Sequence, residues 1–365
     1  MLTPFTLVAS PVEFERISSA ARECAAVDLA ADPEGFTAAA DMSRGCLPAE
    51  LTGMLRSFRR FGRPGAGGLL IRGLPVGEVP PTPAGPAGGS GALPAAGLLG
   101  VIAACLGDQY GFAPQLRGRI VQDVVPVRGR EHAQESVSSL APLHTHVELA
   151  FADDRCRPDW IVLLCLRGDA DAGTTLSPVE AMLPLLPSGA AAILAEPRFV
   201  TTVDSAFLRG AGHDVPLWIG PIRVLSGGPG RPRIRVDFAE TAGTDPAARA
   251  ALAALRRAAD AVASEVRLEP GDLLITENRH ATHGRTSFRP RYGPAARWLL
   301  RCSITRDLDQ SAAHRPGNGR VVDTDYAALA LPAPHLQETA DDHDLSRHRR
   351  PDPPHRLRPH PARRS

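Results

Sequence analysis

A chain of 365 residues that is 43% hydrophobic and 22% charged can bury a large core, and its net charge of +1 makes no electrostatic case for nucleic acid or an anionic membrane as partner. No apolar run approaches the ~20 residues that span a bilayer, and the N-terminus shows neither the basic start nor the long apolar stretch of an export signal. The 41 residues counted as Lys or Arg are all arginine, which excludes Schiff-base, pyridoxal-phosphate and P-loop chemistry, each of which needs a lysine.

Residues 11–31 and roughly 47–61 carry the apolar period of amphipathic helices. The run 68–76 (GLLIRGLPV) predicts a buried strand that stops at Pro75, and 77–93 (GEVPPTPAGPAGGSGAL) a flexible Pro/Gly/Ala loop at the surface. A helix is expected at 94–106. From about 119 onward short β-like runs dominate: RIVQDVVPV, DWIVLLCLRG, RFVTTVD, LWIGPIRVL, RIRVDF, DLLITE and RWLLRCSI. Helical patches at 178–186, 188–196 and 246–264 interrupt them. Many short strands separated by turn residues predict a β-rich sandwich or barrel with flanking helices, mostly β in an α+β frame. From about 309 the chain turns to Arg, His and Pro with little that is apolar, so 309–365 is expected to be a disordered tail after a single domain spanning 1–308. Six scattered cysteines without a CxxC fit free thiols in a reducing cytoplasm better than a disulfide framework or structural zinc.

Two distant stretches carry the chemistry. His146-Val147-Glu148 lies in LHTHVELAF, which alternates as a strand ending at a barrel mouth does, and on a strand positions i and i+2 face the same way. An HxE tripeptide alone is weak, and His144 with His146 also has two-ligand spacing. The second stretch, GDLLITENRHATHGRTSF, is an apolar strand that delivers His280 and His283 to a polar segment beyond it. Arg297 follows at the start of RWLLRCSI, on a strand expected to run beside the one that delivers His283. Two imidazoles and one carboxylate make the facial triad of non-heme Fe(II), which leaves positions open for a co-substrate and O2. A guanidinium fork matches the carboxylate of an organic co-substrate bidentately.

With these residues in view, the chain from about 65 to 306 resembles the clavaminate synthase-like Fe(II)/2-oxoglutarate dioxygenases, relatives of taurine dioxygenase that include hydroxylases of free arginine and asparagine. The tracts that carry the resemblance are GRIVQDVVPV, HVELAF, RPDWIVLLCLRGDADAGTTL, RVDFAETAGTDPAA and HGRTSFRPRY with RWLLR. The resemblance implies a double-stranded β-helix (jelly-roll) core at about 115–306 behind a helical N-terminal part at 1–110. It implies iron ligands at His146, Glu148 and His283, with the 2-oxoglutarate carboxylate held by Arg297 and by a hydroxyl of Thr175, Thr174 being its neighbour. It places substrate contacts at Ser136, Asp237, Arg301 and, more faintly, Gln115; Arg301 would take the substrate α-carboxylate and Asp237 an ammonium or guanidinium. Here Val147 stands where the family usually writes threonine, an outward-facing change, and the acidic residues that commonly follow RPRY are replaced by Gly293-Pro294-Ala295-Ala296.

The implied reaction is hydroxylation of an unactivated C–H bond of a free, arginine- or asparagine-like L-amino acid or a derivative of one, in specialised metabolism such as antibiotic biosynthesis. 2-Oxoglutarate and O2 would be consumed, with release of succinate and CO2. The loop 77–93 or the segment near 205–215 could serve as a lid. The competing readings are a catabolic sulfonate- or phenoxyacid-type dioxygenase sharing the triad, a metal-binding cupin-like protein without turnover, and a zinc hydrolase.

Overall fold

Local chemistry starts the helical face. Ser10 caps the helix Pro11–Ala25 through a reciprocal box with Glu13, whose carboxylate accepts the Ser10 N–H at 2.8 Å. The helix predicted over 11–31 forms but stops at Ala25. The Asp28 carboxylate accepts the N–H groups of Ala30 and Ala31 and so bends the chain, and Asp32 then caps a second helix, Pro33–Met42. The helix Ala49–Phe61 follows, and Pro94–Ala104 is buried on almost every side. Its glycines let backbone approach backbone, since a Cβ at Gly97 would stand 2.0 Å from the carbonyl oxygen of Ala21. The structure, a computed structural model, describes residues 2–63, 65–86, 93–228 and 230–332, and among these no helix is long and apolar enough to cross a membrane.

These helices cover one face of an eight-stranded sheet. Its central strands are Leu273–Glu277, Trp160–Arg167 and Trp298–Thr305, hydrogen-bonded in that order and antiparallel. Ile17, Leu51, Leu55 and Leu98 from the helices pack with Val162, Ile275 and Leu300 from the sheet in one apolar cluster. At about 25 cal/mol per Å² of apolar surface, such burial is the main favourable contribution to folding. A second sheet orders Ser264–Arg267, Gly173–Pro178, Ala281–Arg285 and Leu143–His146, all antiparallel. The helix Pro246–Val262, capped by Asp245, packs near it through Ala248, Ala251 and Leu255. A third, three-stranded sheet joins Thr241–Gly243, Phe199–Thr202 and Trp218–Ile222.

Three sequence expectations change. The domain does not end at 308: Val321–Val322 pairs in parallel with Asp108–Phe112, and Val322 and Tyr326 pack with Phe112, Phe151 and Phe207. A few well-placed apolar residues order a stretch whose average composition is polar, and the predicted disordered run from 333 lies outside the described residues. The start of the 77–93 loop is fastened rather than free. Thr82 is buried, donates its hydroxyl to the carbonyl of Ala296 at 2.8 Å and accepts from Arg167, which also reaches the Val79 carbonyl. Residues 87–92 of that loop lie outside the described residues. Finally, the segment carrying His283 is itself a strand, Ala281–Arg285, buried throughout, because its polar side chains serve an interior site.

Candidate active site

His146 and His283 face each other across an antiparallel pair, His283 being the direct register partner of His146, with ring centroids 4.5 Å apart. The strand Leu143–His146 ends there, so Glu148 is not directed by strand alternation. Val147 donates its N–H to Val236, Leu149 turns the chain at a φ of 60°, and Asn278 clamps Glu148 from both sides. The Asn278 side chain accepts the Glu148 N–H at 2.7 Å and donates to the Glu148 carbonyl at 3.1 Å. Val147 is 1% exposed and belongs to an apolar cluster with Phe238, so its valine serves packing instead of facing outward.

The ring nitrogens point inward. His146 Nδ1 lies 2.8 Å from the His144 carbonyl, which makes it the donor and leaves the Nε2 lone pair free. Nε2 of His146 and Nε2 of His283 each stand 3.7 Å from the same Glu148 oxygen. That is too long for hydrogen bonds, so three donor atoms, all within 4.8 Å of one another, face a common gap. Two nitrogens and one carboxylate oxygen around a gap fit a divalent iron of the facial-triad type. Burial would raise the Glu148 carboxyl, but Arg301 and the two imidazoles hold it well below the usual carboxylate range, ready as an anionic ligand. His144, the alternative ligand, points its Nδ1 toward Arg256 at 3.5 Å and is not part of this group.

The triad opens into a cavity of about 400 Å³ between the sheets. Arg297 lines it, 5% exposed, with its guanidinium 5.7 Å from the centroid of the Phe288 ring. It makes no side-chain hydrogen bond or ion pair among the described residues, and burial pushes its pKa down. Asp169 attracts it without an ion pair or hydrogen bond, and a buried guanidinium short of a bonded anion is costly, so its position in this cavity suits a carboxylate from outside. The expected strand adjacency is corrected: Trp298–Thr305 pairs with Trp160–Arg167, Asp108–Phe112 and Gln122–Val124, while His283 belongs to the other sheet. Arg297 and His283 meet across the cavity instead of along a ladder. Thr174, not Thr175, lines the cavity, because successive residues of Gly173–Pro178 face opposite sides.

Ser136, Gln115, Asp237 and Arg301 all line the same cavity. Arg301, expected to hold a substrate carboxylate, instead donates to the outer Glu148 oxygen at 3.0 Å and to Gln122 Oε1 at 2.7 Å. In this state it steadies the triad carboxylate. Gln115 accepts from the other end of Gln122 at 3.0 Å, and Asp237 accepts the Ala239 N–H at 2.8 Å. Sequence reasoning missed Asn278, Gln122 and Asp204. The first two lay inside quoted tracts (LLITEN and IVQDVV) whose apolar pattern drew attention to core positions. Asp204 and Asp237 share the cavity, and burial pushes both pKa values up, with the Asp237 and Glu148 carboxylates adding to the rise at Asp204. At the cavity mouth Glu135 accepts from Ser205 and Arg209, both at 2.7 Å, which ties the 130s segment to the short helix Ser205–Gly210.

Comparisons with known proteins agree with this geometry. Residues 65–303 match the model of the taurine catabolism dioxygenase TauD, TfdA family. The L-asparagine oxygenase of Streptomyces coelicolor is 40% identical over 282 residues, 75% of this chain and 81% of that one. The L-lysine 3-hydroxylase of Catenulispora acidiphila is 35% identical over 295 residues, 80% of this chain and 82% of that one. A crystal structure of asparagine oxygenase with Fe(II), 3-hydroxyasparagine and succinate superposes with a TM-score of 0.80 at 36% identity, covering 88% of this chain and 99% of that one. The chain belongs to the TauD, TfdA dioxygenase family, as an oxygenase that uses Fe(II) and 2-oxoglutarate.

Proposed function

We propose that this protein hydroxylates an unactivated C–H bond of a free L-amino acid, arginine- or asparagine-like, in specialised metabolism. His146, Glu148 and His283 hold the Fe(II), and Arg297 with Thr174 grips the far carboxylate of 2-oxoglutarate. The observation that carries this reading is the buried Arg297, which makes no side-chain hydrogen bond or ion pair among the described residues, in the same cavity as the triad. When bound, iron and 2-oxoglutarate supply the O2-dependent oxidising power, with succinate and CO2 as by-products. The protein's own residues orient and exclude. Arg301 and Asn278 keep Glu148 aimed at the metal, and the apolar walls keep water from the reacting carbon.

Asp204 and Asp237 give the substrate end an acidic wall suited to an ammonium or guanidinium, which disfavours an anionic sulfonate. Ser136 and Gln115 offer further hydrogen bonds. Arg301 becomes available to the substrate α-carboxylate if it shares its fork with Glu148. We read the two sheets around the cavity as a double-stranded β-helix, the described residues as one catalytic domain, and the helix Ser205–Gly210 as the lid. Six cysteines without a disulfide suit a cytoplasmic protein. The test is an L-amino-acid panel offered to the anaerobic protein loaded with Fe(II) and 2-oxoglutarate, followed by O2. We expect succinate in step with one hydroxylated amino acid. Succinate formation that no amino acid stimulates above background would refute the substrate class.

A further inference from the structure

Away from the active site, a second cavity of about 240 Å³ opens beside the hairpin Leu225–Ser226/Arg233–Ile234 and shares no lining residue with the first. Five guanidiniums line it, those of Arg157, Arg223, Arg233, Arg235 and Arg279, against one carboxylate, Asp154. We propose that this cavity binds a phosphate-class oxyanion, either inorganic phosphate or the phosphoryl group of a small molecule.

Charge imbalance is the first argument. Arg157 and Arg279 are 3% and 6% exposed, and buried charges need counter-charge. Both draw on Asp154 (2.9 and 3.5 Å), and Arg279 adds Asp159 at 3.2 Å. Their remaining bonds, like those of Arg235, go to neutral carbonyls. Burial and the neighbouring Arg279 push Arg157 down to about 9, as expected where negative charge is short. Arg223 and Arg233, both exposed, make no side-chain hydrogen bond or ion pair among the described residues. A chain of net charge +1 thus gathers five guanidiniums on one concave spot, where the carboxylates of Asp154 and Asp159 are bonded only to Arg157 and Arg279 among them.

Shape and donor type narrow the ligand. Planar guanidinium forks match tetrahedral oxyanions with paired hydrogen bonds, which a spherical halide does not reciprocate. The volume is below the ~300–1,000 Å³ typical of sites for drug-sized molecules, so the cavity suits one phosphoryl group with little else enclosed. The location also matters to the triad. Arg235 holds the carbonyls of Ala150 and Phe151, just past Glu148, and Arg279 directly follows the Asn278 clamp. An anion here braces the segment that carries the metal carboxylate.

The test is calorimetric titration of phosphate, pyrophosphate and a nucleoside monophosphate into the anaerobic protein loaded with Fe(II) and 2-oxoglutarate, at ionic strength held constant with sodium chloride. We expect saturable phosphate binding by the unaltered protein that weakens at least about tenfold in Arg223→Ala/Arg233→Ala. The control Arg22→Ala/Arg267→Ala, which removes two exposed arginines that do not line this cavity, should bind as before. Tighter binding of pyrophosphate or nucleotide would identify a phosphorylated metabolite as the source, and equal binding would point to phosphate itself. Because the Arg223 and Arg233 side chains make no hydrogen bond or ion pair among the described residues, the double variant should fold with an unchanged circular dichroism spectrum. Undiminished binding by that folded variant, or a heat signal that sodium chloride alone reproduces, would overturn the proposal.

Discussion

Replacing Arg297 with methionine sets two effects of opposite sign against each other. The guanidinium is 5% exposed and, although Asp169 attracts it from a distance, makes no hydrogen bond or ion pair among the described residues, so the ligand-free fold bears most of its desolvation cost. Exchange of a buried ion pair for apolar side chains of similar volume is often neutral or stabilising by about 1–4 kcal/mol, and removing Arg297 leaves no hydrogen-bonded or ion-paired carboxylate behind among the described residues. Arg297→Met should therefore raise the unfolding free energy of the ligand-free protein, measured by urea denaturation, by roughly 1 kcal/mol or more. The same change removes two charge-assisted hydrogen bonds to 2-oxoglutarate, at ~1.5–3 kcal/mol each. A loss of about 3 kcal/mol corresponds to roughly a hundredfold weaker co-substrate binding, read by anaerobic calorimetry. A variant that is less stable and binds 2-oxoglutarate normally would show that Arg297 is a structural cation and that the site reading is wrong.

Other expectations concern the triad and its supports. His146→Ala and His283→Ala should abolish both metal uptake and succinate formation, and full turnover by either variant would remove that histidine from the ligand set. Asn278→Ala deletes an amide that bonds the Glu148 N–H, the Glu148 carbonyl and the Pro158 carbonyl. It should cost about 3 kcal/mol of stability and weaken metal binding by ~10–100-fold, checked by denaturation and metal titration. Unchanged metal affinity would reduce Asn278 to a packing residue. Asp245 contributes a pH signature: its bonds to Arg198 and to the Ala248 N–H lower its pKa from 3.8 to about 2. A carboxyl depressed on folding stabilises fully above the unfolded pKa and ceases to do so as pH falls through the folded one. The acid limb of the stability curve between about pH 4 and pH 2 should therefore be shallower in Asp245→Asn than in the unaltered protein.

The strands that read most clearly in the sequence were the apolar ones. DWIVLLCLRG and RWLLRCSI became adjacent central strands, Trp160–Arg167 and Trp298–Thr305, because each is eight residues long and almost wholly buried. The strand Ala281–Arg285 was illegible because its buried residues include Thr282, His283 and Arg285, a composition that reads as a polar loop. The helix expected over 11–31 formed but ended early, at Ala25, ahead of the Asp28 turn, which an apolar period does not register. Composition likewise misjudged 309–332, where a two-residue strand and one tyrosine hold an otherwise polar stretch.

The sequence by itself determined which side chains are available for chemistry: two histidines and a glutamate of ligand type, one arginine at a strand start, and no lysine anywhere. Residue identity is a local property, and the pattern His146, Glu148, His283, Arg297 needed no fold to be noticed. Only the tertiary structure decided how they converge. Register across an antiparallel pair sets His146 against His283, while an asparagine 130 residues away in sequence aims Glu148. The space between two sheets, and not a shared ladder, brings Arg297 to the metal site. It also decided that Thr174 replaces Thr175 at the cavity wall and that Arg301 leans on Glu148. Such facts depend on pairing register and on which face of a strand is buried, and a one-residue slip reverses both.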